Sequence, residues 1–202
     1  MLFFVIFSSM EINAENVDFD KNNYNVEVII PENTEKFIEE MGWEKPHPDA
    51  ELVEVIKVED NSSEFNLQDN NVIEPNFLFY SVRNVRYAGE SCGSIPVLST
   101  SGTGGVDGTL TLSSTATVSN TFSANVGVSA GTVSSGVGFD VTDSQTRTSS
   151  YSVNTNGYSY QIDAYDFYNA YAFDIHNILL GTLAGSGNAY QQKGFCYAAY
   201  RI

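Results

Sequence analysis

The sequence predicts an all-β protein: an elongated antiparallel sheet or β-sandwich with one long amphipathic hairpin, plus a small acidic α+β segment at the N-terminus. Three observations lead there. From Leu110 to Ala130 apolar residues favour even positions, while the odd ones are Ser, Thr, Asn and Gly; after Gly131-Thr132 the phase flips and Val133, Val137, Phe139 and Val141 fall on odd positions. That is the period of strands with one apolar face, joined at a turn. Elsewhere in the back region short apolar runs alternate with Gly-rich turns, and the whole chain offers one plausible helix. Charge also divides the chain: residues 1–80 hold 18 Asp/Glu against 4 Lys, net −14, whereas residues 81–202 hold 7 Asp/Glu against 5 Lys/Arg, net −2. Two segments with different duties are expected, and so acidic a chain lacks the basic surface that nucleic acid requires.

Residues 1–14 open on Leu2-Phe3-Phe4-Val5-Ile6-Phe7 and close on Ala14. They read as a secretory signal peptide with the mature chain starting near Glu15, although a basic n-region is missing; the alternative is a buried N-terminal strand. The run is far short of the ~20 apolar residues of a spanning helix. Residues 15–75 form the acidic N-terminal segment. Tyr24, Val26, Val28 and Ile30 alternate and Pro31 ends that strand. Asn33 or Thr34 caps a short helix with Phe37, Ile38 and Met41 on one face and Gly42 at its end. Leu52–Val58 is a second strand and Asn61–Glu74 a polar loop. The segment is either a pro-region to be removed or a minor subdomain docked on the rest.

The β domain spans residues 76–202. Strands are expected around Leu78–Tyr87, leading to Cys92; Ser101–Gly108 reads as a flexible connector, and the hairpin follows. A two-residue Gly131-Thr132 turn sets Ala130 opposite Val133, Val126 opposite Val137, Ala124 opposite Phe139 and Phe122 opposite Val141; farther down, Leu112 meets Tyr151 and Leu110 meets Val153. A one-residue slip would move every apolar side chain to the wrong face. Asn156-Gly157 is a turn, Tyr158–Ala164 a strand running into an aromatic stretch, Gly181–Gly187 a loop and Phe195–Ile202 a last strand. Cys92 and Cys196 pair as a disulfide if the protein is exported; otherwise they are buried thiols.

Nothing in the sequence makes a convincing catalytic centre. Gly89-Glu90-Ser91-Cys92-Gly93 matches G-x-S-x-G, but Ile95-Pro96-Val97 follows where the motif needs a helix. Asp163, Asp166, Asp174 and His176 lack the spacing of an EF-hand or zinc site, and His47 sits in a Pro-flanked loop. The Gly-rich pieces lack the Lys-Ser/Thr of a phosphate cradle. The expectation is a non-enzymatic protein with no cofactor and no metal. Nine of the twelve tyrosines follow residue 150, suiting a core rim, a glycan platform or a membrane interface.

The hairpin's apolar zone, Phe122, Ala124, Val126, Val128 and Ala130 with Val133, Val137, Phe139 and Val141, covers about nine residues per strand, close to the ~9–11 of a transmembrane β-strand. Toward its base, the same face turns polar at Asn120, Asp143, Gln145, Arg147 and Ser149. Residues 109–155, Ser/Thr-rich strands flanking an uncharged amphipathic hairpin, resemble the pore-forming module of the aerolysin-like β-pore-forming toxins. The resemblance implies a hairpin stowed in the soluble form, a homo-oligomer that pools hairpins into a barrel, and a lipid membrane as partner. It does not extend to a receptor-binding domain or to the family's activation peptide. Two function classes follow: a secreted pore-forming protein of that type, or a secreted β-sandwich that binds a surface glycan or protein through a Tyr-rich face.

Overall fold

The computed structural model describes residues 24–60 and 79–202; the expected signal peptide, the mature start and the 61–74 loop lie outside them. In chain order the elements are β1 (Tyr24–Ile29), α1 (Thr34–Met41), β2 (Glu51–Asp60), β3 (Tyr80–Cys92), β4 (Leu98–Thr103), β5 (Thr109–Ser119), β6 (Thr121–Ala124), α2 (Ala130–Val137), β7 (Ser144–Asn154), β8 (Ser159–Asn177) and β9 (Leu183–Arg201). The fold is all-β and antiparallel with a small helical part.

The frame is the β8–β9 hairpin. Each strand has 19 residues, roughly 60 Å of extended chain. Shorter strands lie end to end along its two outer edges. β4 pairs with residues 159–164 of β8, and β3 with residues 167–177. On the other side β2 pairs with residues 194–201 of β9, and β6 with residues 187–190. β1 adds to β2, which completes a seven-stranded sheet. The acidic front segment therefore supplies two strands to the main sheet.

Both faces of the sheet are covered where β2, β8 and β9 run together. On one, α1 and Trp43 pack with Leu52, Val55, Tyr165, Phe167, Ala198 and Tyr200. On the other, the two-stranded β5–β7 ribbon packs Leu112, Val118, Tyr151 and Val153 against Ile56, Val58, Ile162, Phe195 and Tyr197. Burial on both faces explains why Phe195–Tyr200 is apolar without alternation. Trp43 stacks on Tyr165 with ring centroids 4.2 Å apart, and its indole N–H donates to the Gly93 carbonyl at 2.7 Å. Cys92 and Cys196 form the disulfide, with Cα atoms 5.9 Å apart.

α1 has the expected ends: the Asn33 side chain accepts from Lys36 N–H, and Gly42 closes the helix in the left-handed region. Asn156 and Gly157 both have positive φ, as the turn requires. Three expectations are corrected. Residues 101–103 of the supposed connector belong to β4. The supposed 181–187 loop is mostly strand, since β9 begins at Leu183. Gly187 is tolerated there because the Phe173 ring from β8 lies over it, about where a side chain would stand. The third correction concerns the hairpin.

Burial raises the pKa of Asp166 above the ordinary 3.8, more than the hydrogen bond from Tyr168 (2.9 Å) lowers it. The folded chain thus holds this proton to higher pH than the unfolded chain does. Stability from this group falls as pH rises from 3.8 through the raised value, and the full penalty is present above it. Asp166→Asn keeps the acceptor for Tyr168 and loses the charge. Its melting temperature is expected to exceed the parent's at pH 7, with the gap closing as pH approaches 3.8; a gap independent of pH would contradict this assignment.

Candidate functional site

The base of the hairpin forms in the expected register. β5 and β7 pair from Thr109↔Asn154 to Ser119↔Ser144, with Leu110 opposite Val153 and Leu112 opposite Tyr151. One more rung follows, from Asn120 N–H to the Asp143 carbonyl at 2.8 Å. The ribbon's outer face carries cross-strand hydroxyl pairs, Thr111–Ser152, Thr115–Thr148 and Thr117–Thr146.

Beyond Asn120 the two strands part, and the expected pairings of Val126 with Val137, Ala124 with Phe139 and Phe122 with Val141 are not made. The outgoing strand turns onto the main sheet as β6, setting Phe122 against Ala189 and Ala124 against Gly187. Asn125 prolongs that contact: its N–H donates to the Ser186 carbonyl, and its side-chain oxygen accepts from Ser186 N–H. The expected Gly131-Thr132 turn lies inside α2. Ser129 caps that helix by accepting from Thr132 N–H, and Gly138 ends it in the left-handed region.

The reason is burial. A bare two-stranded tip would hold its apolar face in water, and an isolated hairpin is marginal. Folded back, all nine residues of the expected membrane zone (Phe122, Ala124, Val126, Val128, Ala130, Val133, Val137, Phe139 and Val141) join one cluster with Phe173, Ile175 and Ala189 at the β8–β9 turn end of the sheet. Val133, Phe139 and Val141 are buried there, and the other six are half-buried. Close approach helps: a Cβ at Gly136 would stand 2.3 Å from that of Val82 on β3.

The helix itself is weak. Ala-Gly-Thr-Val-Ser-Ser-Gly-Val contains two Gly, two Ser and three β-branched residues, all poorer helix formers than Ala, and eight residues are too few to hold a helix alone. Local preference favours strand, and tertiary packing imposes helix. Such a conflict between local preference and adopted structure is local frustration.

A polar junction closes the stowed segment. Asn120, Asp143, Gln145 and Arg147, expected at the base of the apolar face, surround a cavity of about 30 Å³ with Val118, Gln191 and Gln192. Asn120 is buried and ties the β5–β6 joint to the α2–β7 loop and to β9: its N–H donates to the Asp143 carbonyl, its amide nitrogen donates to the Asp140 carbonyl at 2.7 Å, and its amide oxygen accepts from Gln192 N–H at 2.8 Å. This role was not visible in the sequence, where Asn120 merely interrupts the alternation. Asn120→Ala would strip partners from Gln192 N–H and the Asp140 carbonyl. The expected cost is about 1–3 kcal/mol in denaturant unfolding, together with faster exchange of the β6 amides.

The other candidates are scattered. Ser91 lies within β3, its hydroxyl on the Cys92 carbonyl, and Cys92 is in the disulfide. Asp163 is buried and accepts from Gln161, Asp166 accepts from Tyr168, and Asp174 meets Asn84 and Arg86; His47 sits in the loop after α1. Among the described residues no three His, Cys, Asp or Glu gather as a metal site. Of the late tyrosines, Tyr151, Tyr160, Tyr165, Tyr197 and Tyr200 are core residues. Burial lifts the hydroxyls of Tyr197 and Tyr200 to about 12.

No family model and no curated protein matches the chain. No helix among the described residues is long and apolar enough to cross a membrane, which leaves strands as a separate matter.

Proposed function

We propose that the chain is a secreted, non-enzymatic protein of the aerolysin-like pore-forming type, in which residues 120–143 leave the sheet and lengthen the β5–β7 hairpin into a membrane-inserting arm. The observation that carries this reading is the β5–β7 register. Continued past Ser119↔Ser144, it sets Phe122 opposite Val141, Ala124 opposite Phe139, Val126 opposite Val137 and Ala130 opposite Val133. Gly131-Thr132 is then left as the two-residue turn. All nine apolar residues share one face, and Ser, Thr, Asn and Gly dominate the other.

That arrangement suits a barrel with lipid outside and water inside. An apolar zone of about nine residues per strand meets the transmembrane requirement. Asp140 would fall on the polar face opposite Ser123, so it need not enter hydrocarbon. Asp143 and Arg147 would stay at the base, at the level of the headgroups. Several chains pooling such hairpins would satisfy every backbone hydrogen bond, as a spanning sheet must. The Cys92–Cys196 bridge is compatible with an oxidising compartment.

The test is dye release from liposomes, run with the intact chain and with chain cleaved between residues 61 and 78. Release by either form, lost when residues 120–143 are tethered to the sheet, is the expected result. A chain that permeabilises no membrane in either form defeats the reading.

A further inference from the structure

The turn between β8 and β9 is the most apolar exposed feature of the described residues. Ile178, Leu179, Leu180 and Leu183 are 48, 77, 73 and 63 % exposed, and Phe79 beside them is 56 % exposed. Single exposed leucines are ordinary, but five large apolar side chains gathered on one tip are not. No Asp, Glu, Lys or Arg occurs between Asp174 and Lys193.

The N–H groups of this turn are tied within the protein. Asn177 N–H donates to the Thr182 carbonyl, Ile178 N–H to the Phe79 carbonyl, and Gly181 N–H to the Asn177 carbonyl. Leu179 and Leu180 N–H groups both donate to the Asn177 side-chain oxygen at 3.0 Å. The donors of residues 177–181, Ile178 to Leu180 included, are satisfied within the protein. At a membrane interface this leaves no bare donor to carry a desolvation cost, while the turn carbonyls stay turned to interfacial water.

Shape and charge agree. The tip is convex, at the end of a long paired hairpin, so it can enter a soft layer rather than receive a ligand. The acidic strand β2 lies against residues 194–201 of β9, with β1 beyond it, at the opposite half of the hairpin from the tip. Arg83 and Arg86 are exposed on β3, a few register steps below Tyr80↔Asn177, at a level where lipid phosphates would meet them.

We infer that the 178–183 turn, with Phe79, is a lipid-docking tip that enters the interfacial region of a zwitterionic bilayer while residues 120–143 are still stowed. This inference rests on the membrane reading above and adds a step before insertion. It also places the released arm at the bilayer, because the stowed cluster includes Phe173 and Ile175, just behind the tip on β8.

The experiment is co-sedimentation with phosphatidylcholine vesicles, using the full chain, L179D/L180D, and S123C/N188C, whose engineered bridge tethers β6 to β9. The tethered chain is expected to bind vesicles like the parent without releasing dye. L179D/L180D is expected to bind at least tenfold less, with an unchanged melting temperature, because both side chains are exposed. Undiminished binding by L179D/L180D, or a parent that does not bind these vesicles, overturns the tip. So does a change confined to self-association, which would make the tip a contact between chains. Tip-dependent binding without dye release by any form sinks the pore reading and leaves the docking tip standing.

Discussion

S123C/N188C, oxidised, is expected to abolish dye release while the protein remains folded. Ser123 and Asn188 are register partners between β6 and β9. The neighbouring Asn125–Ser186 pair is hydrogen-bonded, and alternation makes Ser123–Asn188 a hydrogen-bonded pair too. The Cα atoms of such partners lie about 5.5 Å apart, inside the range a disulfide spans. Ser123 is exposed and Asn188 half-buried, so the change removes no core side chain. The tether forbids the Phe122↔Val141 rung and every rung beyond it, while leaving β5–β7 intact. Mild reductant should restore release, since the native bridge is shielded, with Cys196 buried in the core, and opens later. Release that persists through the oxidised tether would mean that residues 120–143 do not move, and the pore reading would fail with them.

The β5–β7 register, Leu110 opposite Val153 and Leu112 opposite Tyr151, was legible in the sequence to the residue, because period-2 alternation on both strands admits one pairing; the β6–β9 register was not. The Asn33 and Gly42 caps of α1 were legible too, since each needs a specific side chain or a positive φ. The fate of the tip was not legible. Alternation says that Phe122, Val126 and Phe139 need an apolar partner on one face; it does not say whether that partner is lipid, a sandwich layer, or Phe173 and Ile175 some 50 positions away in the chain (Phe122 to Ile175). α2 was invisible because its composition argues for strand, and only packing on Val82 and the sheet makes it helical. The β9 run 183–187 looked like a loop because Gly185 and Gly187 carry no strand signal of their own. Their reason lies in side chains from elsewhere, Val126 and Phe173. The apolar tip was not singled out either: Ile178-Leu179-Leu180 is a short apolar run, and its exposure shows only once the β8–β9 turn is placed.

Removing the native bridge separates the frame from the moving part. C92A/C196A opens a crosslink between residues 104 apart in sequence, and the chain-entropy model assigns about 4.7 kcal/mol to a loop of about 100 residues. For a chain of this size that is a fall of roughly 10–20 °C in melting temperature. Alanine is the better replacement, because a Ser hydroxyl at position 196 would be buried among Tyr165, Ala198 and Tyr200 with no assured partner. The bridge joins the end of β3 to β9, and both strands keep their pairing with β8 when residues 120–143 depart. Dye release per folded molecule, measured below the lowered melting temperature, is therefore expected to match the parent's. Loss of release from a chain that is still folded would instead mean that β3 and β9 rearrange as well, and that insertion draws on the frame and not on the 120–143 arm alone.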